Sequence, residues 1–272
     1  MQPDLQRRVQ RYGWDKAVNF YEQSWRQQLE PGQSFMLEKA NIQPGERVLD
    51  VACGTGLVTF RAAELTGPEG EVTGTDLSDK MVENAARIAS EKNITNVSFK
   101  QMDAEALSLP DAYYDVALDA FGTMYYPDPV KSFREKLRVL KPGGRISIAV
   151  WGKRDRCGWA DIFPIVDARV KSEVCPTFFQ LGTGDSLAYS LKEAGFRDIQ
   201  TERITTKLHY DSADEALGAA FKGGPVALAY SRFDENVRRE VQAEYLDSIE
   251  TFRNDIGYAI PGEFVVAWGL KQ

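Results

Sequence analysis

The sequence predicts an α/β protein built on a doubly wound, mostly parallel sheet. Between residues 47 and 150, short apolar runs alternate with segments of helical periodicity, a pattern typical of parallel strands joined by helical crossovers. One run, V-L-D-V-A-C-G-T-G at residues 48–56, ends in a carboxylate and passes into a turn of small residues. A late run, E-F-V-V-A-W-G-L, follows a long helical stretch and predicts a closing strand. A chain of 272 residues can bury the core that such a fold requires.

The individual elements follow from periodicity and from turn residues. Strands are predicted at 48–51, 71–75, 97–101, 116–118, 145–150, 198–205 and 263–270. Helices are predicted at 57–65 and at 78–92, the latter with Ser78 as its N-cap. Gly195 is expected to end a further helix, and Gly223, Gly224 and Pro225 to interrupt the helical stretch of residues 212–253.

No internal repeat or low-complexity linker divides the chain, so a single domain over residues 1–272 is expected. The first part, 1–46, is rich in aromatic and polar residues and predicts one or two helices. Residues 47–150 form the predicted core. Residues 151–183 and 207–260 depart from the strand and helix alternation and are interpreted as helical insertions that cover one side of the sheet.

Composition excludes several classes of function. A net charge of -7 and a pI near 5.0 give no overall basic character for binding nucleic acid, although a local basic patch stays open, so a small-molecule substrate is favoured. No apolar run is long enough to span a membrane and the start lacks the pattern of a signal peptide, which predicts a cytoplasmic protein.

The three cysteines, Cys53, Cys157 and Cys175, fit neither a disulfide framework nor a zinc site. Buried thiols are expected and no metal is predicted, while a trio that binds a soft metalloid is the alternative. The oligomeric state is left open.

The turn at residues 54–56 predicts a nucleotide-like cofactor. Gly54 and Gly56 permit a tight reversal, and the following helix directs free N–H groups toward a ligand. Asp76 lies twenty residues beyond Gly56 at a strand end, where a carboxylate can bind both hydroxyls of a ribose. Thr59 occupies the place of the third glycine of a dinucleotide motif, so a pyrophosphate site is poorly supported. Asp103 follows the third strand and can accept a hydrogen bond from an adenine amine.

Together with Y-D-V-A-L-D-A-F and L-R-V-L-K-P-G-G-R-I-S-I-A-V-W, these residues resemble the class I S-adenosylmethionine-dependent methyltransferases, most closely the C-methyltransferases of quinone biosynthesis. The resemblance is strong over residues 48–150 and implies a Rossmann-like seven-stranded sheet whose last strand, 263–270, is antiparallel. It also implies S-adenosylmethionine as cofactor. The implied cofactor-binding residues are Tyr21, Asp50, Ala52, Gly54, Thr55, Gly56, Leu57, Asp76, Leu77, Met81, Asp103, Ala104, Ala120 and Phe121.

One position departs from the family pattern, since Ala52 stands where glycine is frequent. Alanine costs little there if φ is negative, and S-adenosylmethionine has no pyrophosphate that demands the closest approach, so the alanine is expected to be tolerated. Tyr21 is placed in the implied set because the family often has an aromatic residue in this lead-in.

The methyl acceptor is less well defined by the sequence. In-line transfer from a sulfonium depends mainly on alignment, so no acid or base is required for an activated carbon or an amine. For a hydroxyl acceptor, Tyr125 and the single histidine, His209, are the catalytic candidates, although a lone histidine is more often structural. The expected substrate-binding residues are Tyr125, Trp151, Trp159 and Phe221, which favour an apolar or aromatic acceptor.

Two other functions stay open on the sequence alone. A nicotinamide-dependent reductase is suggested by Tyr12 and Lys16, which have the Tyr-x-x-x-Lys spacing but precede the first strand. A scaffold that keeps the cofactor fold without catalysis is the other alternative.

Overall fold

The computed structural model describes residues 2–171 and 174–272. Its strands are β1 Arg47–Val51, β2 Glu71–Asp76, β3 Val97–Gln101, β4 Tyr114–Ala120, β5 Leu140–Trp151, β6 Arg197–Tyr210 and β7 Tyr258–Leu270. Its helices are α1 Pro3–Ala40, α2 Leu57–Thr66, α3 Asp79–Glu91, α4 Pro129–Val139, α5 Ile162–Asp167, α6 Ser186–Ala194, α7 Ala213–Phe221, α8 Ala227–Arg232 and α9 Glu235–Ile249. All of the predicted strands are present, most of them a few residues longer than expected.

The strands form a seven-stranded sheet in the order β3-β2-β1-β4-β5-β7-β6. Neighbouring strands from β3 to β5 pair in parallel, whereas β7 is antiparallel to both β5 and β6. The antiparallel last strand is thereby confirmed. The order reverses between β1 and β4, and in sheets of this kind ligands bind beyond the carboxyl ends of the strands at that point.

The central strands are apolar because helices cover both faces of the sheet. Val48 and Leu49 of β1, and Val116 and Leu118 of β4, are completely buried. The continuous apolar run that predicted β1 reflects this burial. Since side chains on both faces are packed, only the strand ends and the loops that follow them are free to build a site.

Residues Pro3–Ala40 form a single helix. α1 continues through Pro31 and ends at Asn41, which has the left-handed φ of 47°. Gln28 binds the backbone N–H of His209 in the edge strand β6 at 2.9 Å, and Gly32 lets the rings of Phe121 and Phe264 lie against the helix backbone. This helix therefore crosses the carboxyl edge of the sheet.

The predicted caps and breaks are confirmed. The Ser78 hydroxyl accepts the Met81 N–H at 3.1 Å at the start of α3, and Gly195 ends α6 with a φ of 115°. α7 and α8 are separated at Gly223–Pro225, as expected. In the part of the chain that the structure describes, no helix combines the length and apolar composition needed to cross a membrane.

Candidate functional site

The turn after β1 is held in left-handed backbone. Gly54 and Gly56 have φ values of 55° and 92°, and Ala52 has a φ of 57°. The condition under which alanine costs little, a negative φ, is therefore not met at Ala52. A left-handed conformation costs an L-residue about 1–2 kcal/mol because its Cβ crowds the following carbonyl. A Cβ added at Gly122 would lie 2.3 Å from the Ala52 methyl, so this methyl packs directly on the backbone of the loop after β4.

Asp76 ties two ligand-facing segments together at the end of β2. Its Oδ2 accepts the Gly54 N–H at 2.9 Å, and its Oδ1 accepts the Ser78 N–H at 2.8 Å. Burial raises the pKa of this carboxyl to about 6, although the two backbone donors act in the opposite direction. Each carboxylate oxygen retains lone pairs for a further donor, such as a ribose hydroxyl.

Asp50 is buried behind this turn. Its Oδ2 accepts the hydroxyl of Thr59 at 2.6 Å, and its Oδ1 has no hydrogen-bond partner within residues 2–171 and 174–272. Burial raises the pKa of this carboxyl to about 7. A buried carboxylate oxygen without a donor fits a cationic amine, such as the ammonium group of a methionine moiety.

A cavity of about 750 Å³ opens at the carboxyl edge of the sheet and is called here the polar cavity. Ten of the predicted cofactor-binding residues line it: Tyr21, Ala52, Gly54, Asp76, Leu77, Met81, Asp103, Ala104, Ala120 and Phe121. Asp50, Thr55 and Gly56 lie outside the lining, in the supporting turn. Leu57 borders a different groove beside Phe60 and Arg61.

Arg7, in the first turns of α1, closes one side of the polar cavity. Its guanidinium forms an ion pair with Asp103 at 2.8 Å and another with the buried Glu105. Asp103 Oδ1 also accepts the N–H of Glu105 at 2.9 Å. The carboxylate expected to bind adenine is thus shared with a cation that the sequence analysis did not identify. The sequence gives no signal for this pair because about a hundred residues separate its members.

A buried ion pair supports the loop after β4. Asp119 and Lys136 are both fully buried and their charged atoms lie 2.9 Å apart. Asp119 also accepts the N–H of Gly122 and of Thr123 and the hydroxyl of Tyr126 at 2.8 Å. The sequence analysis did not identify Lys136, whose only signal is a lysine on the buried face of α4.

A second cavity, of about 330 Å³, adjoins the first and is called here the aromatic cavity. It is lined by Trp14, Tyr21, Trp25, Leu29, Phe121, Tyr125, Trp151, Trp159, Phe178 and Pro225. Four of these residues, Trp14, Tyr21, Phe121 and Tyr125, also line the polar cavity. Among the residues that the structure describes, no Asp, Glu, Lys, Arg or His lines it. It therefore offers ring faces and few hydrogen bonds.

The structure separates the predicted acceptor-side residues into two groups. Tyr125 lies in the shared wall, with its ring centroid 5.3 Å from that of Trp14, and Trp151 and Trp159 line the aromatic cavity. Phe221 is buried elsewhere, 4.8 Å from the Tyr230 ring, and lines neither cavity. The structure therefore does not bring Phe221 to the two cavities, because its ring packs between α7, α8 and α9.

Of the two catalytic candidates, Tyr125 lines the cavities and His209 does not. His209 is exposed on β6 and lines neither cavity, so its position does not fit a base. Burial raises the pKa of the Tyr125 phenol well above its ordinary value, so this group stays protonated near neutral pH. Neither residue has the geometry and protonation of a general base.

Comparisons with known proteins identify the family. A family described as a methyltransferase domain matches residues 42–193. The ubiquinone/menaquinone biosynthesis C-methyltransferase UbiE of Yersinia enterocolitica is 38% identical over 202 residues, which is 71% of this chain and 76% of that protein. Its namesake from Ectopseudomonas mendocina is 41% identical over 120 residues, and there the match spans 44% of this chain and about half, 47%, of the relative.

Solved structures show the same fold at lower identity. The YcgJ protein from Bacillus subtilis is 21% identical, with a TM-score of 0.62 over 89% of this chain and 99% of that one. Phosphoethanolamine N-methyltransferase 2 from Haemonchus contortus, solved with S-adenosyl-L-methionine, is 19% identical, with a TM-score of 0.61 over 94% of this chain and 57% of that one. The matched family, the relatives that share most of their length with this chain and the mixed sheet agree: the chain belongs to the class I S-adenosylmethionine-dependent methyltransferases and is similar to the UbiE C-methyltransferases.

Proposed function

We propose that this protein transfers the methyl group of S-adenosylmethionine to an apolar or aromatic small molecule held in the aromatic cavity. The observation that carries this proposal is the pair of adjoining cavities with a common wall. One cavity is bordered by carboxylates and by the turn of a nucleoside site, and the other by ring faces. A methyl donor in the first cavity and a methyl acceptor in the second would meet beside Phe121 and Tyr125.

Two residues of the polar cavity and one buried behind its turn fit the cofactor group by group. Asp76 would accept hydrogen bonds from the ribose hydroxyls and Asp103 from the adenine amine, while Asp50, behind the turn, would accept one from the ammonium group. The unpartnered Oδ1 of Asp50 is the strongest support, because a buried carboxylate oxygen without a donor is unfavourable in the protein alone. When bound, S-adenosylmethionine supplies a methyl group activated by a positive sulfur, which the acceptor atom takes in a single displacement.

The chain itself would contribute alignment and exclusion of water. Holding two reactants in register supplies about 7–11 kcal/mol of barrier reduction without an acid or base. The half-buried rings of Trp14, Tyr21 and Tyr125 bound the space between the cavities. A proton released from the acceptor would pass to solvent rather than to Tyr125, which favours an activated carbon or an amine. The names of relatives 38–39% identical, as C-methyltransferases of ubiquinone/menaquinone biosynthesis, support a carbon.

The test is an acceptor screen scored by release of S-adenosylhomocysteine. The panel pairs phenols, hydroquinones and aromatic amines with aliphatic molecules of equal size. We expect turnover with ring compounds, retained within a few-fold in Tyr125→Phe because only the hydroxyl is removed. The proposal fails if the protein binds S-adenosylhomocysteine but methylates only charged aliphatic molecules. Binding without any turnover across the panel would favour the scaffold alternative.

The reductase alternative has little support in the structure. Tyr12 is 49% exposed and Lys16 is exposed on α1, and neither lines a cavity. A Tyr and Lys pair that acts on a cofactor must reach it. Titration with a nicotinamide dinucleotide is nevertheless a simple control in the same experiment.

A further inference from the structure

The indole N–H of Trp159 is an unsatisfied donor in the wall of the aromatic cavity. Trp159 is 4% exposed, and its Nε1 is buried with no hydrogen-bond partner among the residues that the structure describes. Its ring lies within 6.2 Å of several other rings, including Trp151 at 4.8 Å and Phe178 at 5.6 Å. Such neighbours pack against the indole but offer no good acceptor for its proton.

Trp25, in the same wall, shows the contrast. Its indole is 7% exposed and donates to the carbonyl of Gly223 at 3.0 Å. The two rings lie 6.1 Å apart, so one cavity holds one satisfied and one unsatisfied indole. The hydrogen bond from Trp25 holds the break between α7 and α8 in place, whereas the N–H of Trp159 forms no comparable bond within the described residues.

An unpaired buried donor is unfavourable, and buried indoles ordinarily find a partner. A phenyl ring would fill most of the same space without this cost. A polar group left unpaired in the wall of a small-molecule cavity is instead typical of a site that is completed by its ligand, since such a group rejects ligands that cannot pair with it.

We infer that Trp159 donates a hydrogen bond to an oxygen atom of the methyl acceptor. The acceptor is then a ring compound that carries a carbonyl, phenol or ether oxygen, not a pure hydrocarbon. This inference rests on the proposed function, because it places the acceptor in the aromatic cavity. Trp159 would determine which acceptors bind and how they are oriented, without taking part in the displacement.

The test uses two probes of the same skeleton, 1-indanone and indane, which differ by one carbonyl. Binding to the full-length protein saturated with S-adenosylhomocysteine is measured by calorimetry for the native protein, Trp159→Phe and Trp25→Phe. We expect the preference for the ketone, expressed as the ratio of the two Kd values, to fall about 3- to 10-fold in Trp159→Phe. Trp25→Phe, with the same loss of volume, should retain the preference.

A second measurement does not depend on any ligand. Both variants lose the same atoms from the wall, but Trp25→Phe also leaves the Gly223 carbonyl without its donor. We therefore expect Trp25→Phe to lower the Tm more than Trp159→Phe. An equal or larger loss in Trp159→Phe would mean that its N–H already has a partner, which overturns the inference.

The outcomes separate this inference from the proposed function. If both probes bind and Trp159→Phe leaves their ratio unchanged, the hydrogen bond is refuted while the acceptor cavity stands. If neither probe binds to protein that holds S-adenosylhomocysteine, the cavity is not the acceptor site and both proposals fail together.

Discussion

The polar cavity and the aromatic cavity share a wall but are built in opposite ways. The first is assembled from loops at the ends of β1 to β4, and its polar groups are backbone N–H groups and carboxylates. The second draws rings from α1, from the end of β5 and from Trp159 and Phe178, which follow β5 in the chain. A ligand is thus oriented by hydrogen bonds on one side and by shape on the other.

This difference shows how one fold can keep a cofactor while its acceptor changes. Carboxylates that also hold the turn and the start of α3 cannot change without damage to the sheet edge. Ring faces interact through area, so they tolerate exchange for other apolar groups of similar volume. We expect a substitution in one cavity to change ligand binding in that cavity and not in the other, unless the residue lies in the common wall.

The largest effect is expected where both cavities depend on one buried charge. Lys136→Met leaves Asp119 without its cation, and breaking a buried ion pair by removal of one partner costs about 3–5 kcal/mol. Since Asp119 holds Gly122 and Thr123, binding of both S-adenosylhomocysteine and 1-indanone should weaken. Urea unfolding and calorimetry provide the measurements.

A matched control lies two residues earlier on the same helix. Arg134→Met breaks the exposed pair with Glu193, whose atoms lie 3.4 Å apart, and should cost less than about 1 kcal/mol. Similar losses for the two variants would contradict a special role for the buried pair.

The next largest effect should be confined to the polar cavity. Asp76→Ala removes an anionic acceptor, and hydrogen bonds to charged groups contribute about 1.5–3 kcal/mol, so the affinity for S-adenosylhomocysteine should fall about 10- to 150-fold. Binding of 1-indanone should change little. Glu91→Ala removes an equal charge from the exposed end of α3 and should leave both affinities intact. An unchanged Kd in Asp76→Ala would refute the ribose contact.

The sequence predicted the polar cavity better than the aromatic cavity, for a physical reason. The turn, Asp76 and Asp103 lie at strand ends whose order along the chain fixes their order in the sheet, so spacing alone brings them together. Arg7 and Lys136 could not be predicted in this way, because their partners are fixed by packing between distant elements. Phe221 lies away from both cavities, and the sequence could not show this because an aromatic residue in a helix such as α7 has no pattern that distinguishes a cavity wall from a core. The left-handed φ of Ala52 could not be predicted, because steric preference alone favours a negative φ.

A smaller effect should distinguish the cavities by pH. The pKa of Asp50 is about 7 because of burial, so the carboxyl is mostly protonated at pH 6. Pairing with an ammonium group favours the ionised form and lowers this pKa, so binding releases a proton and strengthens as pH rises through 7. The affinity for S-adenosylhomocysteine should be about 10-fold weaker at pH 6 than at pH 8.

The aromatic cavity provides the internal control for this experiment. Its ionisable groups, Tyr21 and Tyr125, have pKa values raised above the ordinary value by burial, so 1-indanone binding should not vary over the same range. Asp50→Asn should reduce the pH dependence at the polar cavity to the change of about 2-fold that Asp76, with a pKa of about 6, can still contribute. An undiminished 10-fold change in this variant would assign the proton to another group.

The smallest effect tests the strain stored in the turn itself. Ala52→Gly relieves a left-handed conformation that costs about 1–2 kcal/mol but increases the entropy of the unfolded chain, so a net gain of about 0.5–1 kcal/mol in unfolding free energy is expected. Ala62→Gly, in the interior of α2, should have the opposite sign because glycine weakens a regular helix. Equal losses in the two variants would mean that the contact between the Ala52 methyl and Gly122 outweighs the strain. In that case the alanine would stabilise the wall between the two cavities, which would explain its presence in a turn that favours glycine.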